Sequence, residues 1–228
     1  MVEPEITFTD LAGITNLAEQ LIKYVLNYVL ENNKGELNYL EKHNQKELIE
    51  RLKKIVAEDF QKIEYSQSIK ILEKEQKRRA EKKQNSFIFR NIKWGMDLQS
   101  EHEKFLCEDY FNNRPLFVLN YPLEIKAFYM KNNPDGKTVA GFDCLFPEIG
   151  ELIGGSLRED NYQLLKEKAY QKGLNTTNLN WYLDLRKSGY APSGGFGLGL
   201  ERLIMLITGT ENIRDTLPFP RYPKHLEF

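Results

Sequence analysis

Apolar residues return at three- and four-residue intervals through Ile14, Leu17, Ala18, Leu21, Ile22, Val25, Leu26 and Val29, the spacing of a single helix face. The pattern predicts an amphipathic helix over residues 13–31, ended by Asn32, Asn33 and Gly35. A second periodic set, Leu48, Ile49, Leu52, Ile55, Val56 and Phe60, predicts a helix at about 44–61, and a third runs from Ser66 to roughly Lys83. From about Phe117 the apolar clusters become short and extended. They lie at Leu116–Asn120, Ala127–Met130, Val139–Phe146, Glu151–Ser156 and Ser193–Leu200, with turn signals such as Asn133-Pro134-Asp135-Gly136 between them, as expected of antiparallel strands. Helices at about 159–173 and 200–208 interrupt this series. Strands and helices in separate runs, without a repeating βαβ unit, make the fold class α+β, an antiparallel sheet flanked by helices.

The last of these strands has an unusual composition. Phe196, Leu198 and Leu200 alternate with Gly195, Gly197 and Gly199, and Glu201-Arg202 follows. On a strand the large residues would anchor one face while the glycines leave the other as bare backbone on which a flat ring fits. The apolar run Leu203–Ile207, stopped by Gly209, predicts a short helix with Arg202 at its start, where a guanidinium and free helix N–H groups suit phosphate oxygens. Adenine on the glycines and phosphates on Arg202 would make an ATP site. A dinucleotide fingerprint fails because its third glycine would fall on Leu200, and no Gly-Lys-Ser/Thr triplet exists for a Walker loop. A glycine-rich strand packed against another backbone would show the same alternation.

Two further groups have the chemistry of a nucleotide site. Asp143 lies in the strand Gly141–Phe146 and Glu151 opens the next segment, so antiparallel pairing would bring their carboxylates together as hard oxygen ligands for Mg2+. Glu148 stands near enough in sequence to replace either. His102 between Glu101 and Glu103 does not make a metal site, because adjacent residues cannot all face one ion.

The block Tyr190–Leu203 and the tail Asn212–Arg221 resemble the C-terminal end of the asparaginyl branch of the class II aminoacyl-tRNA synthetases. Trp94–Glu103, Tyr121–Met130 and Trp181–Arg186 are similar to the same pattern, so the likeness covers nearly the whole chain. Aspartyl members usually carry Asp and His where Glu201 and Ser193 stand. The resemblance implies a class II catalytic core that binds ATP through Glu151, Gly195, Gly197, Gly199 and Arg202, and Mg2+ through Asp143 and Glu151. Arg202 and Glu151 would stabilise charge at the reacting phosphate, and Arg158, seven residues after Glu151, would meet the side-chain carbonyl of asparagine. It implies tRNA(Asn) and asparagine as substrates and a homodimer for the full-length enzyme. Met1–Phe8 looks like the end of motif 2, and the preceding strand with its arginine, motif 1 and the anticodon-binding barrel have no counterpart here. The expectation is therefore one partial catalytic domain over 1–228, with a mostly helical segment at about 32–90, poorly active by itself. A carboxylate-adenylating relative of asparagine synthetase and a noncatalytic ATP-binding module are the alternatives.

Composition adds limits. With 228 residues, 41% apolar and 12% aromatic, the chain suits one large globular domain. Cys107 and Cys144 form no disulfide framework, and no signal peptide or bilayer-length apolar run is visible, which points to the cytoplasm and away from membranes. A formal net charge of -1 gives no general case for nucleic acid, so DNA is not expected and RNA rests on the resemblance. The basic run at 73–83 reads first as a solvated helix face, with a tRNA contact as the other reading.

Overall fold

The computed structural model describes residues 1–175 and 177–226. Six strands form one sheet: β1 (Glu5–Thr7), β2 (Gln61–Glu64), β3 (Leu116–Leu119), β4 (Gly141–Phe146), β5 (Gly150–Leu157) and β6 (Ser193–Leu198), in the spatial order β1-β6-β5-β4-β3-β2. Every adjacent pair is antiparallel except β2 with β3, which run parallel at one edge. The sheet is thus mixed rather than wholly antiparallel.

The helix read at 13–31 is α1 (Leu11–Asn32), whose first turn is capped by the Asp10 side chain accepting from the Gly13 amide at 2.7 Å. The single helix read at 44–61 is instead α2 (Lys34–His43) and α3 (Leu48–Ala57), with Glu47 between them in the left-handed region at φ 61°. Phe60 and Ile63, read as helical or left unassigned, belong to the extended segment at β2, whose partner β3 lies far along the chain. Helix α4 (Tyr65–Glu81) matches its expected span. A short helix α5 (Ser100–Lys104) runs into a π-helical turn at Phe105–Tyr110, and α6 (Tyr162–Gln171), α7 (Asn180–Lys187) and α8 (Leu200–Thr208) complete the described helices. The expected strand at 127–130 is a loop, joined to the sheet by one bridge between Met130 and Arg158.

The two sheet faces carry separate cores. On one, Ile14, Ala18, Ile22 and Leu26 of α1 and Leu48, Leu52 and Ile55 of α3 pack on Phe142, Cys144, Phe196 and Leu198. On the other, Tyr65, Ile69 and Leu72 of α4 pack with Phe105, Leu116, Val118 and Leu145. This second core covers only the β2–β3–β4 end. Over β4, β5, β6 and β1 the same face holds a cleft.

Candidate functional site

The cleft encloses about 530 Å³ and is lined by Met1, Glu5, Lys126, Asp143, Glu151 and Arg158, among others. Its acidic centre comes from a local irregularity. Strand β5 is bulged opposite Cys144 and Leu145, so that Cys144 pairs with Ile153 but Leu145 pairs with Glu151. Leu152 and Ile153 both enter the α1-side core. Strict alternation would have placed Glu151 on the face of Ile153; the extra residue turns it to the cleft with Asp143. The two carboxylates converge over Gly154, which pairs with Asp143. A Cβ there would lie 2.6 Å from Glu151 Oε1 and 3.5 Å from Asp143 Oδ1.

Charge is dense around this point. Lys126, in the loop after β3, donates to both Asp143 oxygens at 2.9 and 2.6 Å, and its ammonium lies 3.9 Å from the centre of the Tyr121 ring. Glu151 has its pKa raised by burial and then by the charge of Asp143, with Lys126 and Arg202 pulling the other way. Glu103, from α5, is pushed up to about 7 by burial and by Glu151 and Asp143. Burial, followed by Asp143, also drives the Tyr121 hydroxyl well above its usual range.

Arg158 follows β5. Its Nη2 donates to Glu5 Oε2 at 2.8 Å, its Nε reaches both Glu5 oxygens, and its Nη1 donates to Ser156 Oγ at 2.7 Å. The Tyr129 ring lies beneath the guanidinium at 5.3 Å. Glu5 is held from its other side by the Ser193 hydroxyl at 2.8 Å, which in turn meets Tyr190 Oη at 2.6 Å. Arg202, in the first turn of α8, donates through Nη1 to the backbone carbonyl of Glu151. Glu151 is thus tied to Arg202 through its backbone and lines the cleft together with Arg158.

The glycine face differs from the sequence reading. Phe196 and Leu198 are buried as expected, but Leu200 is 47% exposed because the strand ends at Leu198 and Leu200 opens α8. Gly195 is not an open floor: β1 pairs across it, and a Cβ there would strike the Glu5 carboxylate and the Pro4 carbonyl. Over Gly197 the nearest atom is the Met1 methyl at 2.6 Å, and Gly199 meets only the Arg202 side chain at 3.8–3.9 Å. The bare backbone thus opens toward the Gly197–Gly199 end. Glu148 is also displaced from the site. At φ 66° it turns away to Arg51 at 2.5 Å and Gln45 at 2.8 Å. His102 is fully buried against Phe87, and no metal-holding group of three or more His, Cys, Asp or Glu occurs among the described residues.

Residues without an assigned role in the sequence complete the cleft, Glu5, Lys126 and Tyr129, and Glu103 acts on its carboxylates from beside it. The signal for Lys126, Tyr129 and Glu103 was present as whole blocks, Tyr121–Met130 and Trp94–Glu103, and that for Glu5 as Met1–Phe8, but not as individual functions.

A family described as tRNA synthetases of class II (D, K and N) matches residues 1–223. The asparagine–tRNA ligase of Ureaplasma urealyticum serovar 10 is 48% identical over 228 residues, covering 100% of this chain and 49% of that protein. That of Haemophilus influenzae is 49% identical, covering 100% and 47%. The asparaginyl-tRNA synthetase of Pyrococcus horikoshii superposes with a TM-score of 0.82 at 37% identity over 98% of this chain, and a second structure of it is complexed with asparaginyl-adenylate. The chain spans about half the length of the curated relatives it matches.

Proposed function

Because the chain belongs to the class II tRNA synthetases (D, K and N), we propose that it forms the asparagine- and ATP-handling part of an asparagine–tRNA ligase. The Glu5–Arg158 pair carries this reading. Arg158 presents a planar donor fork to a carbonyl oxygen. Glu5 beside it accepts from an N–H. A primary amide offers both groups, whereas a carboxylate would set a second negative charge against Glu5.

In the proposed reaction the asparagine carboxylate attacks the α-phosphorus of ATP, and pyrophosphate leaves. A ribose hydroxyl at the 3′ end of tRNA(Asn) then attacks the acyl carbon and AMP leaves. Arg202, in the first turn of α8, would hold phosphate oxygens. Adenine would lie over Gly197 and Gly199, with Gly195 serving instead to admit β1. Asp143 and Glu151 fit Mg2+ because they are hard oxygen donors converging over a side-chain-free position, where burial and the charge of Asp143 raise the Glu151 carboxyl against the pull of Lys126 and Arg202. When bound, the ion would neutralise phosphate charge. Lys126 would keep Asp143 in place. A cytoplasmic location and homodimeric assembly with the rest of such an enzyme belong to the same proposal.

Titration calorimetry with a hydrolysis-resistant asparaginyl-adenylate analogue tests the reading. The chain should bind it at least about 100-fold more tightly than the aspartyl analogue. Equal binding of the two, or of neither, would overturn the assignment.

A further inference from the structure

Residues 70–93 carry nine cations against Glu73, Glu75 and Glu81, a net +6 in a chain whose formal net charge is -1. Two of the cations, Arg78 and Arg79, are paired with Glu75. The other seven, Lys70, Lys74, Lys77, Lys82, Lys83, Arg90 and Lys93, are exposed and form no ion pair among the described residues. Folding leaves this charge uncompensated. Lys70, Lys74, Lys77 and Arg78 repeat at helical spacing, so they share one face of α4. Beside that face a groove of about 350 Å³ is lined by Lys70, Lys74, the Glu75–Arg78 pair, the buried edge of Phe105 and the Tyr110 ring, which is 49% exposed. Cations for phosphates next to an exposed aromatic ring for a base, here Tyr110, are the two components of a nucleic-acid surface. Ile88, Phe89 and Trp94 stand exposed in the following loop.

The strip also leads to the cleft. Tyr65, at the start of α4, meets Trp94 at 6.2 Å and Tyr121 at 5.1 Å between ring centres. Tyr121 lies under Lys126, which holds Asp143 at 2.6 Å. Helix α4 therefore begins at a residue linked to Asp143 through Tyr121 and Lys126, and it runs for about 25 Å. We propose that this basic face of α4, with the 82–94 loop, is the surface along which an RNA backbone lies as its 3′ end is led into the cleft. The inference rests on the tRNA ligase reading above and names the part of the chain that receives the RNA.

The test is fluorescence anisotropy on the 228-residue chain with a labelled RNA stem-loop bearing a short single-stranded 3′ end, between about 50 and 200 mM salt. The combined variant Lys70→Ala, Lys74→Ala, Lys77→Ala should bind roughly tenfold more weakly at the low-salt end. Its slope of log Kd against log salt should fall by about two to three, the expectation for losing three phosphate contacts. The corresponding Lys→Arg variant should retain binding. A control of equal charge loss, Lys34→Ala, Lys42→Ala, Lys46→Ala, should bind as the parent does. Failure of the parent to bind RNA, an equal loss in the control, or a preference for phosphatidylserine vesicles over RNA would overturn the inference. Binding of the asparaginyl-adenylate analogue, measured alongside, separates the two proposals: it should be unchanged in the α4 variant, and its absence from the parent would remove the ligase reading while leaving the RNA result to stand or fall by its own data.

Discussion

Glu5 Oε2 lies 2.8 Å from Arg158 Nη2, although the two residues are 153 positions apart. The contact joins β1, at the sheet edge, to the end of β5 two strands away. Glu5→Gln keeps the shape but removes the charge that would repel an aspartate side chain. Binding of the asparaginyl-adenylate analogue should weaken by roughly tenfold to 100-fold and its preference over the aspartyl analogue should narrow. Because Glu5 is 44% exposed in its side chain, stability should change by no more than about 1 kcal/mol. Unchanged discrimination in calorimetry would remove Glu5 from substrate selection.

Lys126→Met should be far more damaging to the fold. It leaves Asp143, 13% exposed, without its cation in a cluster already holding Glu151 and Glu103. Breaking such a buried pair from one side costs about 3 kcal/mol, readable as a shift in the urea midpoint. The double variant Lys126→Met, Asp143→Asn should recover much of that loss.

Glu103 supplies the pH dependence. Its carboxyl titrates at about 7 in the folded chain, against about 4.3 when unfolded. Between those values the folded state holds a proton that the unfolded state has lost, so this group's contribution to stability falls as pH rises and levels off above about pH 7. Glu103→Gln should therefore raise stability by about 3–4 kcal/mol near pH 8 and leave it unchanged below about pH 4. Thermal unfolding across this range checks the sign. A variant that loses stability at high pH would show that the charged carboxylate is held by compensating donors.

The glycines of β6 should respond unequally to alanine. At Gly197 the added methyl meets only the mobile end of Met1, and the cost should stay below about 1 kcal/mol. At Gly195 it meets the Pro4 carbonyl as well as Glu5, so β1 must move. Gly195→Ala should lose about 1–3 kcal/mol and, by withdrawing Glu5 from Arg158, should also weaken analogue binding.

The chain by itself should exchange pyrophosphate with ATP slowly, even where it binds the adenylate analogue. Arg158 lines the cleft but is engaged by Glu5, which leaves Arg202 as the guanidinium best placed for the phosphates. Each preorganised donor to a reacting phosphate is worth about 100- to 1000-fold, so a single well-placed arginine leaves exchange slow. Rapid asparagine-dependent exchange would show that another group of the chain clamps the α-phosphate.

Periodicity alone determined much of the fold. The spacing of Ile14 to Val29 defined α1 within two residues at each end, short apolar clusters marked β4 and β5, and alternation marked β6, because burying a face is a local demand on sequence. The family blocks singled out Asp143, Glu151, Arg158 and Arg202, which the fold gathers at or beside one cleft. Tertiary structure decided what depends on distant partners. Gln61–Glu64 became a strand because β3 was available to pair with it, and residues 127–130 became part of a loop that, from Lys126 onward, carries Lys126 and Tyr129 to the site. Glu151 faces the cleft only through a bulge, and a bulge is a relation between two strands that neither encodes alone. The bare face of Gly195 was legible as a place of close approach, but a glycine does not specify what approaches. Only the register of β1 on β6 showed that it is Pro4 and Glu5.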